Sequence, residues 1–204
     1  MTLISTVQER YWTIPGVSNS TVNHWNLGNG ESTMGVLWSM LGYKCAELRD
    51  DDPDPVTTLT SKDKFIIRSS WARIMKNPIE NGIAILTLFF EDYPQHKQLF
   101  PFRDVPNKEL GQNKRFQAHC SAIMYSLTSV VDVVDKPDLL VTILMKIGRD
   151  HVPRGVNEQG HLELKTTIVK VFKTLMSEEE MKSWTKAVNV IFDVILKGAG
   201  EIKG

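Results

Sequence analysis

FQAHCSAIMYSLTSVVDVVDKPDLLVTILMKIGRDHVPRGV, residues 116–156, decides the fold. Apolar residues recur every three or four positions on both sides of Asp135-Lys136-Pro137. That period belongs to helices buried along one face. The proline breaks the first helix and can open the second. The first is expected over 113–134, with Phe116, His119, Ile123, Leu127, Val130 and Val134 on one stripe. The second is expected over about 138–152, with Leu140, Leu144, Ile147 and His151 in line.

One histidine therefore continues each apolar stripe. Either one alone reads well as a core residue whose ring finds an ordinary hydrogen bond. Together they allow a sharper reading. A turn at 135–137 lets the helices fold so that both imidazoles face one gap, and burying an imidazole without a partner costs free energy. A metal, or a cofactor carrying one, would supply the partner. The stripes hold no carboxylate or thiolate. A closed zinc site wants four protein ligands and a catalytic one three. Two axial imidazoles suit haem iron, whose other four ligands come from the porphyrin.

The helical pattern extends in both directions. Thr60-Ser61-Lys62-Asp63 can cap a helix whose inner face is Ile67, Trp71, Ile74 and Met75. Asn77-Pro78 ends it and starts the next, over 79–93, with Ile83, Leu86, Phe89 and Phe90 on one side. Gly82 inside that helix costs about 1 kcal/mol relative to Ala, which a close helix crossing would explain. Pro94 stops the helix and can begin a short one. Past residue 156, one helix is expected near 158–176. Ser177-Glu178-Glu179-Glu180 caps the last, with Met181, Trp184, Val188, Ile191 and Ile195 facing in and Gly198 at its end. The fold class is all-α.

Two compositions meet near residue 55. ELRDDDPDPVT (47–57) is acidic and proline-broken and reads as a linker. STVNHWNLGNGEST (20–33) upstream is polar and rich in Gly and Asn, with Trp12, Trp25 and Trp38 scattered around it. The expected division is an N-terminal extension over 1–57 and a helical domain over 58–204. The chain carries 24 Lys+Arg against 24 Asp+Glu. That balance argues against nucleic acid as a partner. Cys45 and Cys120 have no metal-ligand or disulfide-framework spacing, which fits a reducing, cytoplasmic setting. No signal peptide is expected, and no apolar run reaches the roughly 18 residues of a spanning helix.

With these landmarks in order, residues 58–200 resemble a globin. Trp71 falls where globins carry a Trp in the first helix, and Asn81-Gly82 through Tyr93-Pro94 resembles the second helix and its Pro-ended junction. Phe100, in PQHKQLF, matches the Phe that packs on the haem face. His119 matches the distal histidine and His151 the proximal, iron-binding one. GRDHVPRGV (148–156) has the form of the proximal segment. FPFRDVPNKELGQNKRFQAH (100–119) is most similar to insect intracellular globins, with neuroglobin, cytoglobin and globin X more distant.

The resemblance implies haem b, iron protoporphyrin IX, as cofactor. It implies that His151 binds iron, that Phe100 holds the haem, that Leu86, Ile123 and His119 line the distal side, and that Ile147 and Val156 line the proximal side. Arg103 would pair with a haem propionate, although a solvated Arg explains it as well. His161 stands where globins often place an aromatic near the haem edge and reads as a boundary residue rather than a second ligand. The short connection from Phe100 to His119 leaves any intervening helix reduced or absent.

The implied function is reversible binding of oxygen or another diatomic gas, for storage, facilitated diffusion or transport. A different class is redox catalysis: nitric oxide dioxygenation, nitrite reduction or peroxide removal. Turnover of that kind would need an external reductase, because the extension is too short for a flavin domain. No other catalytic set stands out, and a gas sensor would call for an output domain. His119 either bonds the gas or binds iron itself; six-coordination is the expectation, and five-coordination the alternative. The protein is expected as a monomer or homodimer. Met34-Gly35-Val36-Leu37-Trp38-Ser39 fits an N-myristoylation pattern that is internal. A product starting at Met34 could be acylated on Gly35, with Cys45 as a second, palmitoylated anchor. Membrane association is expected only in that case.

Overall fold

The computed structural model describes residues 52–202. Trp12, Trp25, Met34, Gly35, Trp38 and Cys45 lie outside them. The packed structure begins within the segment that reads as linker. Asp54 Oδ1 accepts backbone N–H bonds from Val56 (3.0 Å) and Thr57 (2.8 Å). This is the local turn that Asp side chains favour. It seats Thr57 and Leu59 in the interior, at 0% and 2% exposure. One carboxylate satisfies two backbone donors, so the acidic run ends in structure.

Helix α1 spans Ser61–Ile74, and Thr60 and Asp63 close the expected capping box. Its buried face includes Ile67, Trp71 and Ile74. Helix α2, Pro78–Asp92, opens on proline. A Cβ built on its Gly82 would lie 2.9 Å from both Cβ and the carbonyl oxygen of Cys120. The missing side chain thus permits the close crossing that the glycine suggested. Pro94–Leu99 form a 3₁₀ helix. One turn, α3, Asn107–Leu110, is the only α-helix described between it and the next long one. Buried Lys97 donates from Nζ to the Val105 carbonyl and to Asn107 Oδ1 (2.8 Å), which ties this connection down.

Helix α4 covers Lys114–Asp132, with Asn113 accepting from the Arg115 and Phe116 amides. Helix α5 covers Pro137–His151. A 3₁₀ turn, Val152–Arg154, then ends at Gly155, whose φ of 82° is left-handed and suits a residue without Cβ. Helix α6 runs Glu158–Leu175 and α7 runs Glu178–Gly200, the latter behind a Ser177/Glu180 capping box. No strand occurs among the described residues. No helix there is long and apolar enough to cross a membrane.

Gly198 differs from its expected role. The helix continues to Gly200, and Gly198 is buried inside it. A Cβ on Gly198 would overlap the Met145 backbone, and one on Gly148 would overlap the Ile195 carbonyl. The two glycines let α5 and α7 approach backbone to backbone.

Trp71, Phe172 and Trp184 join α1, α6 and α7, with ring centroids 5.0–6.4 Å apart. The Trp184 indole donates to Ser70 Oγ (2.8 Å), and the Trp71 indole to Thr128 Oγ1 (3.0 Å). This aromatic knot belongs to the larger of two apolar clusters. The smaller is built around Phe90, Phe102 and Phe116.

Candidate functional site

The two clusters share the walls of one cavity. Leu86 and Phe89 of α2 line it, followed by His96, Leu99 and Phe100 of the Pro94 turn. Helix α4 contributes His119, Ile123 and Leu127; α5 contributes Leu144, Ile147 and His151. Val156 closes the turn after α5, and Gly160, His161 and Leu164 come from α6. Helix α7 forms the floor with Ile191, Phe192 and Ile195. The candidate residues Leu86, Phe100, His119, Ile123, Ile147, His151 and Val156 thus all meet in one place. The burial pattern agrees. His119, Ile123, Leu127, Ile147 and His151 are half-buried although their stripes are apolar, because they face this cavity.

His151 ends α5. Its Nδ1 lies 2.7 Å from the Ile147 carbonyl oxygen. A carbonyl only accepts, so in the neutral ring Nδ1 carries the proton and Nε2 presents a lone pair. A backbone carbonyl on the second nitrogen is the usual dressing of a metal-binding histidine.

His119 packs edge-on against Phe100, with centroids 4.9 Å apart. Phe100 in turn stacks on Phe102 and meets Phe90 edge-on. The α4 histidine is thereby held by a wall of rings. Burial lowers the His119 pKa, and the nearby charges of His151 and Arg154 lower it further. At neutral pH its imidazole is uncharged and offers a lone pair.

Two other histidines share the cavity. His161 is 4% exposed, and its Nδ1 lies 3.0 Å from the Asn157 carbonyl. Its Nε2 is buried without a hydrogen-bond partner. Burial lowers its pKa, the Asn157 carbonyl opposes this, and the His151 charge lowers it again. His96 stacks on Phe89 at 5.0 Å and donates from Nε2 to Glu163. That pair leaves no signal in the sequence, since His96 and Glu163 sit on different elements and follow no shared period. Arg103 is exposed, pairs with Asp104 at 3.8 Å and does not line the cavity. Cys120 lies against Gly82, and burial pushes its thiol up to about 12, so it is no nucleophile here.

The donor set is selective. No group of three or more His, Cys, Asp or Glu among the described residues could hold a bare metal ion. Apolar walls carrying imidazole lone pairs on separate helices fit a flat group that brings four equatorial ligands of its own and takes axial nitrogen. Haem is such a group, and the buried, unpartnered nitrogen of His161 is a further mark of a ligand-binding cavity.

A model of the globin family matches residues 83–195. The chain is 32% identical to a globin of Nerita albicilla, over 71% of this chain and 95% of that one. A hexa-coordinate hemoglobin of Drosophila melanogaster is 32% identical, superposes with a TM-score of 0.65, and is matched over 68% of this chain and 94% of its own. A hexacoordinated heme protein from an anhydrobiotic tardigrade is 25% identical with a TM-score of 0.68, over 72% of this chain and 99% of its own.

Proposed function

The chain belongs to the globin family, and we propose that it binds oxygen or another diatomic gas reversibly on haem b, with His151 as proximal iron ligand and His119 as sixth ligand when gas is absent. The observation that carries this reading is the pair of His151 and His119. Both line one apolar cavity from separate helices, and the His151 Nδ1 is already engaged by the Ile147 carbonyl. Bound haem would supply the iron that takes the gas.

The protein's own residues do the rest. The Ile147 carbonyl fixes the His151 tautomer and makes Nε2 more basic. Leu86, Ile123 and Phe100 line the site with apolar surface and would keep water from bound haem, which would slow its oxidation. Phe100 holds the His119 ring in place from the side. No C-x-x-C-H segment is present, so the haem would be held without a thioether link. Six-coordination draws support from the two hexacoordinate proteins that share the fold. Gas would then compete with His119, and apparent affinity would fall by the fraction of open sites.

Such a site suits storage or facilitated diffusion, and the reading places it in a cytoplasmic monomer or homodimer. A shorter product acylated on Gly35 would carry the same chemistry to a membrane surface, and mass spectrometry of the native N-terminus tests for it.

His119→Leu tests the central role. The dithionite-reduced wild type is expected to show sharp, split visible bands. The variant is expected to show a broad five-coordinate spectrum and tighter apparent carbon monoxide binding. An unchanged spectrum in the variant contradicts iron binding by His119. Rapid nitric oxide turnover with an external reductase, together with fast autoxidation, would favour redox catalysis instead.

A further inference from the structure

His161 has the same arrangement as His151. Each ring places Nδ1 on the carbonyl four residues earlier, Ile147 for one and Asn157 for the other. Each therefore carries its proton on Nδ1 and leaves Nε2 bare. Both rings line the same cavity, edge to face, with centroids 5.7 Å apart. A buried polar atom without a partner is uncommon and calls for a reason. His161 Nε2 is such an atom on a residue 4% exposed. His96 offers the internal contrast: it lines the same cavity, but its Nε2 is taken by Glu163.

Asn157 does double duty in this arrangement. Its side chain accepts from the Gly160 amide at 2.9 Å, capping α6, and its carbonyl faces the His161 ring. The start of α6 thus orients the His161 imidazole as the last turn of α5 orients that of His151.

We infer that His161 is a second iron ligand on the His151 wall, able to take the axial position when His151 does not hold it. The inference rests on the haem reading above. The exchange replaces one neutral imidazole nitrogen by another, so no proton or electron moves. Its consequence is a protein that keeps its haem and its low-spin state through loss or displacement of the proximal histidine.

The test compares wild type, His151→Ala and His151→Ala/His161→Phe, each given ferric haem after circular dichroism has confirmed the helical fold. Absorption and electron paramagnetic resonance read the spin state. His151→Ala is expected to take up haem and remain low-spin. The double variant is expected to lose the low-spin signal at least tenfold relative to the single one. Should the alanine variant unfold, His151→Phe fills the ring's volume and enters the same comparison. Matching low-spin signals in the single and double variants, or a His151→Ala variant that binds haem without a low-spin signal, overturns the role of His161. Failure of wild type to bind haem overturns the underlying reading instead, so the two failures are distinct.

Discussion

Asp63 shows how a buried charge is stabilised in this chain. Burial by itself would raise its pKa. Hydrogen bonds from Lys186, from the Thr60 amide and from Ser183 outweigh that and bring it down to about 2. The carboxylate caps α1 and also reaches α7, through Ser183 Oγ and Lys186 Nζ, both at 2.8 Å. Its ordinary value is 3.8, so folding stabilises the charged form. That stabilisation, roughly 2 kcal/mol, is present above about pH 4 and is lost as pH falls towards 2. Asp63→Asn is expected to lower stability by about that amount at pH 7. The variant's stability should then fall less than the wild type's between pH 5 and 2. Urea melts across that range check both; parallel wild-type and variant curves would contradict the assignment. The residue scale is also where sequence reading succeeds and fails most clearly. His119 and His151 were legible because each interrupts an apolar stripe. His161 was legible only as a boundary residue, because its orphaned nitrogen depends on where the Asn157 carbonyl points.

At the scale of elements, proline and capping residues made the helices readable. Pro78, Pro94 and Pro137 open helical segments. Thr60 and Ser177 cap their helices as their spacing to Asp63 and Glu180 suggests. Gly198 was misread because a glycine near a helix end looks like a stop, whereas its actual role depends on Met145 in another helix. The crossing it makes with Gly148 yields a prediction. A methyl at 148 meets backbone, which cannot rotate away, so α5 and α7 must part. Gly148→Ala is expected to cost about 1–3 kcal/mol. It should also weaken haem binding, because α5 carries His151. Gly200→Ala is the control: nothing lies within 4 Å of its added methyl, so a change of at most about 0.5 kcal/mol is expected. Thermal melts and haem titration of both variants would show it. Equal effects at the two positions would mean that the crossing is looser than described.

For the folded domain as a whole, the cavity matters more than any single contact. Residues of the Trp71 cluster and of the Phe90 cluster both contribute walls to it. A ligand seated there touches α2, α4, α5, α6 and α7 together, so its binding free energy becomes folding free energy. At a free haem concentration of about 1,000 times Kd the gain is about 4 kcal/mol. The melting temperature is expected to rise with haem and to fall when haem is extracted; a melt indifferent to haem would contradict this coupling. The all-α architecture was legible from period and punctuation alone. The extra cavity histidines were not, because they arise from contacts between distant elements.

The most direct measurement is the visible absorption spectrum of the purified protein titrated with haem, ferric and then dithionite-reduced. Haem held by His151 and His119 gives a saturable Soret band and, on reduction, sharp split bands. No Soret band after haem addition would contradict it and would leave His119 and His151 as residues of the apolar interior.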